Sequence, residues 1–464
     1  MKQRISLKVV LVSLLIFLTI FLPNSFDLSL LLTIGGMHFR FLNLVAFFMA
    51  IVLFLRSLRT RRFEDGSFRI RGFSGAVLLV ICGIVASEAY LIAFENVNIR
   101  PLIQDTFPVV TPLLLGWALH LDGWRPRDLY WMTRLFLIFG VLVVVIDILL
   151  VLNYAPLYGL FGWKMQDSAF SARPNQAIGS AIAVAALLSL ILPLALYMQK
   201  KGSGLLRIPY LVCPWFLLLG IALQASRLAA ATVLLFLFLT TGTAKRGRTL
   251  RVAALASLFI LIFVGYDFVG SYFQRYTVLR NASSLTRVQS GIIGLRIFGD
   301  HPIFGTGIGI FYPRAQATIA AASTVDVQHL GEKIMVYRDW ATLPDPHDVY
   351  IMWLAEIGLV GFIGLVACIR AFAKYSRRVI RAAKRMGTDD TLFRAVGSGV
   401  LLVCAQMFGA SFLLNNNRLA ILIWVYVALT LEIGRRTIAT AEARRLSMTS
   451  ALQQRAQGER QYVA

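Results

Sequence analysis

Seven basic side chains within one polar stretch are the first groups in this sequence that could do chemistry. Arg275, Arg280, Arg287, Arg296 and Arg314, with His301 and His347, lie in a segment of 77 residues from Ser271 to His347, between long apolar runs. Guanidinium groups stay charged at any physiological pH and match phosphate oxygens with paired hydrogen bonds. Such a set suits a diphosphate and would stabilise a departing pyrophosphate electrostatically, with no metal or cofactor needed. An imidazole with an ordinary pKa of about 6.5 could take the proton of an attacking hydroxyl. His347 is the best placed of the five histidines, because it stands where the chain returns to an apolar run. The bland alternative is an interfacial residue that only caps a helix. The run Phe304-Gly305-Thr306-Gly307-Ile308-Gly309 sets glycines on alternate positions. On spacing alone it is a flexible re-entry toward the membrane or, less simply, a backbone whose amides can approach a phosphate.

The elements that must position these groups are apolar helices. Hydrophobic residues make up 58% of 464 positions, charged ones only 15%, and mean hydropathy is +0.71, which is the composition of a polytopic membrane protein. A hydrocarbon core of roughly 30 Å takes about 20 apolar residues per helix. The expected fold is all-α, with about twelve spans near 8–23, 38–55, 76–95, 102–120, 130–153, 176–198, 208–226, 228–244, 250–270, 348–370, 393–413 and 419–434. One long periplasmic loop then lies between helices 9 and 10. This divides the chain into transmembrane helices over 1–270, a loop domain over 271–347, three more helices over 348–434 and a basic tail over 435–464.

The net charge of +23 is explained by its distribution. With the N-terminus inside, inner segments hold 32 of the 46 lysines and arginines, the positive-inside pattern of a multi-pass inner-membrane protein with both termini cytoplasmic. Clusters such as Lys245-Arg246-Gly247-Arg248 are then topological anchors beside anionic lipid, and nucleic-acid binding is not indicated. The same bias divides the apolar stretch Tyr210 to Thr241 into two short arms, since both its flanks are basic. Ser226-Arg227 falls at the outer tip between them. Arg227 there either snorkels or binds a ligand. Glu88, Asp105, Asp147 and Glu356 all fall in the outward halves of their spans, as lining of an outward-open polar cavity or as counter-ions for Arg227 and its neighbours. The four cysteines all lie inside spans, so no disulfide framework or zinc site is implied. Phosphate-loop, dinucleotide and HExxH motifs are absent from the sequence.

Thr286 to Phe311, reading TRVQSGIIGLRIFGDHPIFGTGIGIF, followed by His347 to Gly361, reading HDVYIMWLAEIGLVG, resembles the shared core of bacterial O-antigen ligases and related polysaccharide polymerases. Ser226-Arg227 and Arg173-Pro174-Asn175, each opening a span, extend the resemblance. It implies a membrane glycosyltransferase that moves a glycan from an undecaprenyl diphosphate carrier to an acceptor hydroxyl on the periplasmic face, with inversion. In that reading Arg227 and Arg287 hold the diphosphate and His347 orients or deprotonates the acceptor. Arg173, Asn175, His301, Gly305, Gly307, Asp348, Tyr350 and Glu356 contribute to substrate binding. One departure stands out: Asp348 occupies a position where the family often has asparagine.

A ligase would use lipid A core as acceptor, a polymerase the next repeat unit on its own carrier, and a protein glycosyltransferase a serine or threonine. The surface that chooses falls in the variable part of the loop, about Tyr312 to Asp345. A secondary transporter would also have twelve spans and buried acids, but such proteins show repeat symmetry and midplane sites, and the two halves of this sequence differ.

Overall fold

The computed structural model describes residues 6–22, 32–34, 37–59, 71–95, 98–152, 154, 164–168, 171–175, 181–201, 207–224, 226–240, 289–321, 348–409 and 416–463. Apolar runs become helices in the order α1 (Leu7–Phe21), α2 (Phe41–Arg59), α3 (Arg71–Phe94), α4 (Ile99–Asp122), α5 (Pro126–Val151), α6 (Ala181–Lys201), α7 (Arg207–Leu223) and α8 (Arg227–Thr240). A helix α9 over 289–300 follows, then α10 (Phe311–Ala321), α11 (Val349–Met386), α12 (Thr391–Gln406) and α13 (Asn417–Val463). Seven of these are long and apolar enough to cross a membrane, and α1, α7, α8 and α12 are shorter apolar helices. The protein is an all-α polytopic membrane protein. Helices stand at eleven of the twelve expected spans, and the ninth, 250–270, lies outside the described residues.

Two short hairpins depart from the all-helical expectation. Strands β1 (Leu32–Ile34) and β2 (Met37–Phe39) pair antiparallel around Gly35-Gly36, and this delays the second helix to Phe41. Strands β3 (Lys164–Ser168) and β4 (Ser171–Asn175) pair with Gln166 opposite Arg173 and Lys164 opposite Asn175. Arg173 and Asn175 therefore lie on a strand packed beside α5 and α6 rather than at the start of a span, and the helix itself begins at Ala181.

Helix α6 is the hub. Nearly every side chain from Ala181 to Ala195 is buried, as expected of a helix apolar on all sides. Polar ends are closed by specific partners. Arg418, only 3% exposed, donates to Leu22 O at 2.6 Å and Thr19 O at 3.4 Å, satisfying carbonyls at the end of α1. At the opposite end Lys8 is buried against Asp122 at 2.8 Å. The basic tail is a continuation of the last apolar helix: α13 runs unbroken for 47 residues, with its C-terminal part exposed.

Helices α3 and α11 approach closely because glycines face each other. A Cβ on Gly83 would stand 2.8 Å from Gly361 Cα, and one on Gly364 would stand 2.8 Å from Val80 N. Helix α11 is also broken at Gly358, where φ is 67° and ψ −167°. Breaking a helix inside a membrane strands backbone groups that lipid cannot satisfy. Here the segment after α9 supplies the partners. Thr306 N donates to Ala355 O at 3.0 Å and Gly307 N to Glu356 O at 2.8 Å, while Leu359 N donates to Pro302 O at 2.9 Å and Val360 N to Ile303 O at 3.2 Å.

An alanine at Gly358 would carry a positive-φ, extended-ψ backbone essentially reserved for glycine, costing roughly 1–3 kcal/mol, and its Cβ would also collide with Ile303 O and Gly305 N. Gly358→Ala is expected to lower the thermal unfolding temperature in detergent by many degrees. Gly397→Ala, in α12 with open space around it, is expected to leave that temperature unchanged or raise it.

Candidate functional site

Three structures carry the described candidate residues: the tip between α7 and α8, the start of α11, and the 301–311 turn that fills the α11 break. The tip is where charge flanks and arm length put it. Helix α7 ends at Leu223 and α8 begins at Arg227, with Ser226 as its cap: Ala229 N donates to Ser226 Oγ at 3.4 Å and Ala230 N to Ser226 O at 2.9 Å. The backbone of Arg227 thus occupies the first helical position, at the positive end of the helix dipole. Below the tip, Gln224 donates to Asp147 Oδ2 at 2.7 Å, and both side chains are fully buried. Asp147 therefore braces the hairpin tip.

Asp348 caps α11, its Oδ1 accepting from Tyr350 N at 2.8 Å and Ile351 N at 3.1 Å. An asparagine Oδ1 accepts the same two bonds, which gives a physical reason why either residue serves here. Burial raises the Asp348 carboxyl above its ordinary value, outweighing the two amides that pull it down. Tyr350 is committed within the protein: its hydroxyl donates to Cys404 O at 3.0 Å and its ring lies 4.3 Å from that of Phe408.

The glycine run is held by specific partners within the protein. Gly305, Gly307 and Gly309 have φ of 70°, 90° and 78°, and each amide has a protein acceptor. Gly305 N donates to His301 O at 3.0 Å. Gly309 N and Phe311 N donate to Glu356 Oε1 at 3.0 and 3.4 Å, and Ile308 N donates to Glu88 Oε1 at 3.2 Å. A Cβ on Gly309 would stand 2.7 Å from Asp105 Oδ2. Glu88 and Glu356 thus serve as charge-assisted acceptors for amides of the turn. None of Glu88, Asp105 and Glu356 is paired with lysine or arginine among the described residues. The side chain of Arg227, their expected counter-ion, lies outside the described residues. Glu356 is fully buried, and it and the glycines hold the turn to α11.

His301 and Arg314 share one carboxylate at the end of α3. His301 Nδ1 lies 3.4 Å from Glu95 Oε1, and Arg314 pairs with Glu95 Oε2. Arg287 and His347, with Arg275 and Arg280, lie outside the described residues. The sequence reading missed Glu95, Gln224, Thr232, Gln406 and Gly358. Gln224 and Gln406 are polar interruptions in apolar runs, and that was the available signal; Glu95, at the end of a span, carried none.

Residues 212–366 match the family model for the O-antigen ligase domain. This third of the chain is similar to the O-antigen ligase family. The matched segment runs from α7 through the tip and the turn to just past the break in α11, so it holds all three of these structures. The β3–β4 hairpin and α12 lie outside it. No curated protein matches the chain.

Two substitutions test these assignments. A carboxyl whose folded pKa is raised contributes stability below its unfolded value of 3.8 and loses it as pH rises through the folded value. Asp348→Asn should therefore gain on the wild type as pH rises from 4 toward 7 by equilibrium unfolding in detergent, whereas Asp348→Ala should lose about 1 kcal/mol of cap. Glu356→Gln keeps an acceptor and should preserve the turn. Glu356→Ala leaves the buried Phe311 amide unanswered, costing about 1–3 kcal/mol, and frees the Gly309 amide, so it should speed hydrogen exchange across residues 305–311.

Proposed function

We propose that this protein is a membrane glycosyltransferase that transfers a glycan from an undecaprenyl diphosphate carrier to a hydroxyl of lipid A core, on the periplasmic face of the bacterial inner membrane. The observation that carries the reading is the ligase-family match over the segment containing Arg227, Arg287 and His347. In this reading both termini are cytoplasmic, twelve helices cross the membrane, and the helix starts at Arg227 and Asp348 face the periplasm.

Arg227 and Arg287 hold the diphosphate with paired hydrogen bonds and neutralise the charge that grows on it as it leaves. His347 accepts the proton of the acceptor hydroxyl. The acceptor oxygen bonds to the anomeric carbon as the carbon–oxygen bond to the diphosphate breaks, so the anomeric centre inverts and undecaprenyl diphosphate departs with the electron pair. Arg173 and Asn175 on the β3–β4 hairpin, together with His301, contact the glycan or its phosphates. The lipid tail stays in the bilayer throughout.

Reconstitution in proteoliposomes with a lipid-linked donor tests this reading. Transfer to lipid A core acceptor is expected, undiminished by chelator, and lowered by about 100-fold or more in Arg227→Ala and His347→Ala variants that still insert. Chain extension on the lipid carrier instead would make the protein a polymerase. Gradient-driven uptake without transfer would sink the enzymatic reading.

A further inference from the structure

The start of α8 and the start of α11 are not in direct sequence contact, yet both are tied to the last turn of α12. Gln406, the final residue of α12 and only 2% exposed, donates from Nε2 to Thr232 Oγ1 at 3.0 Å. That hydroxyl in turn donates to the carbonyls of Leu228 at 2.9 Å and Ala229 at 3.0 Å, within the turn that Arg227 opens. Two residues before Gln406, Cys404 O accepts the Tyr350 hydroxyl at 3.0 Å, in the first turn of α11. A carbonyl in the last turn of a helix has no intrahelical donor, so it is available for this bond. The Tyr350 ring then rests on Phe408, in the 3₁₀ turn that follows α12.

We propose that the last turn of α12 is a spacer fixing the separation between the helix start that carries Arg227 and the helix start that follows His347 in sequence, with Gln406 and Tyr350 as its positioning residues. The inference rests on the proposed function, in which those two starts handle the leaving diphosphate and the attacking acceptor. A displacement needs nucleophile and leaving group in line, and a misplacement of about 1 Å can cost roughly 100-fold in rate. Two helices with short polar starts drift relative to each other unless something spans them. A buried glutamine in an apolar bundle is costly unless bonded, so its single strong partner sets where α8 sits. The Asp147–Gln224 bond braces the tip from the α5 side, leaving α12 to set the spacing toward α11.

The test is steady-state kinetics in proteoliposomes for Thr232→Val, Gln406→Leu and Tyr350→Phe, with the folded fraction checked by size exclusion and thermal unfolding. Each variant is expected to lose kcat by about tenfold with both KM values within about threefold of wild type. Thr232→Ser should restore kcat, and the double variant Thr232→Val with Gln406→Leu should be no worse than either single change, since both remove one bond. Unchanged kcat in Gln406→Leu and Tyr350→Phe overturns the spacer, as do losses that add in the double variant or merely track a fall in folded protein. Arg227→Ala run alongside separates the two levels: wild-type donor KM and turnover in that variant would defeat the proposed function itself. Loss of turnover there, with the spacer variants at full kcat, would defeat the spacer alone.

Discussion

A broken helix in a membrane is stable only if its loose backbone groups find partners, and the rest of this site depends on how that is met at Gly358. The carbonyls of Ala355 and Glu356 and the amides of Leu359 and Val360 would otherwise face lipid or apolar side chains. The 302–307 backbone answers all four, as if a short strand had been inserted into α11. Positive-φ glycines on both sides make this possible, because a Cβ at Gly305 or Gly358 would overlap the opposing backbone. Once the turn is inserted, its own amides need acceptors, and Glu356 and Glu88 supply them. The break, the glycines and the acids are therefore one solution to one problem.

The same reasoning explains what the sequence did and did not disclose. Long apolar runs announce helices, and flanking charge divided Tyr210–Thr241 at the tip where α7 and α8 part. Glycine spacing marked the turn but not its use, because whether an amide meets a phosphate or a carboxylate depends on which distant residue packs against it. Glu88 and Glu356 are 268 positions apart and meet on the same turn. Buried acids in spans suggest ionic partners by default, and backbone amides are an alternative that no side-chain pattern signals. Arg173-Pro174-Asn175 read as a helix start, yet strand pairing with Lys164 to Ser168 claimed it, since local signals for caps and for hairpins overlap. Asp348 shows the converse: its departure from asparagine ceases to be puzzling once the shared oxygen is seen to cap α11.

Rigid and variable parts are separated in this architecture. Buried polar pairs such as Gln224 with Asp147 and Gln406 with Thr232 sit where helices meet, holding angles and spacings. Charged groups with some exposure, such as Arg314 and His301 around Glu95, sit at the rim. Solvent-exposed ion pairs contribute little to rigidity, while buried hydrogen-bonded pairs specify position.

Docking of residues 302–311 into α11 also divides the polar segment in two. After Ala321, 26 residues of sequence join α10 to Asp348. A tether fixed at both ends can grow with little thermodynamic consequence, since doubling its length costs only about 0.6 kcal/mol. Sequence change there can therefore remodel whatever it touches without moving the anchored turn or the helix starts. Length and composition in that arm are therefore free to change without disturbing the fold around Gly358.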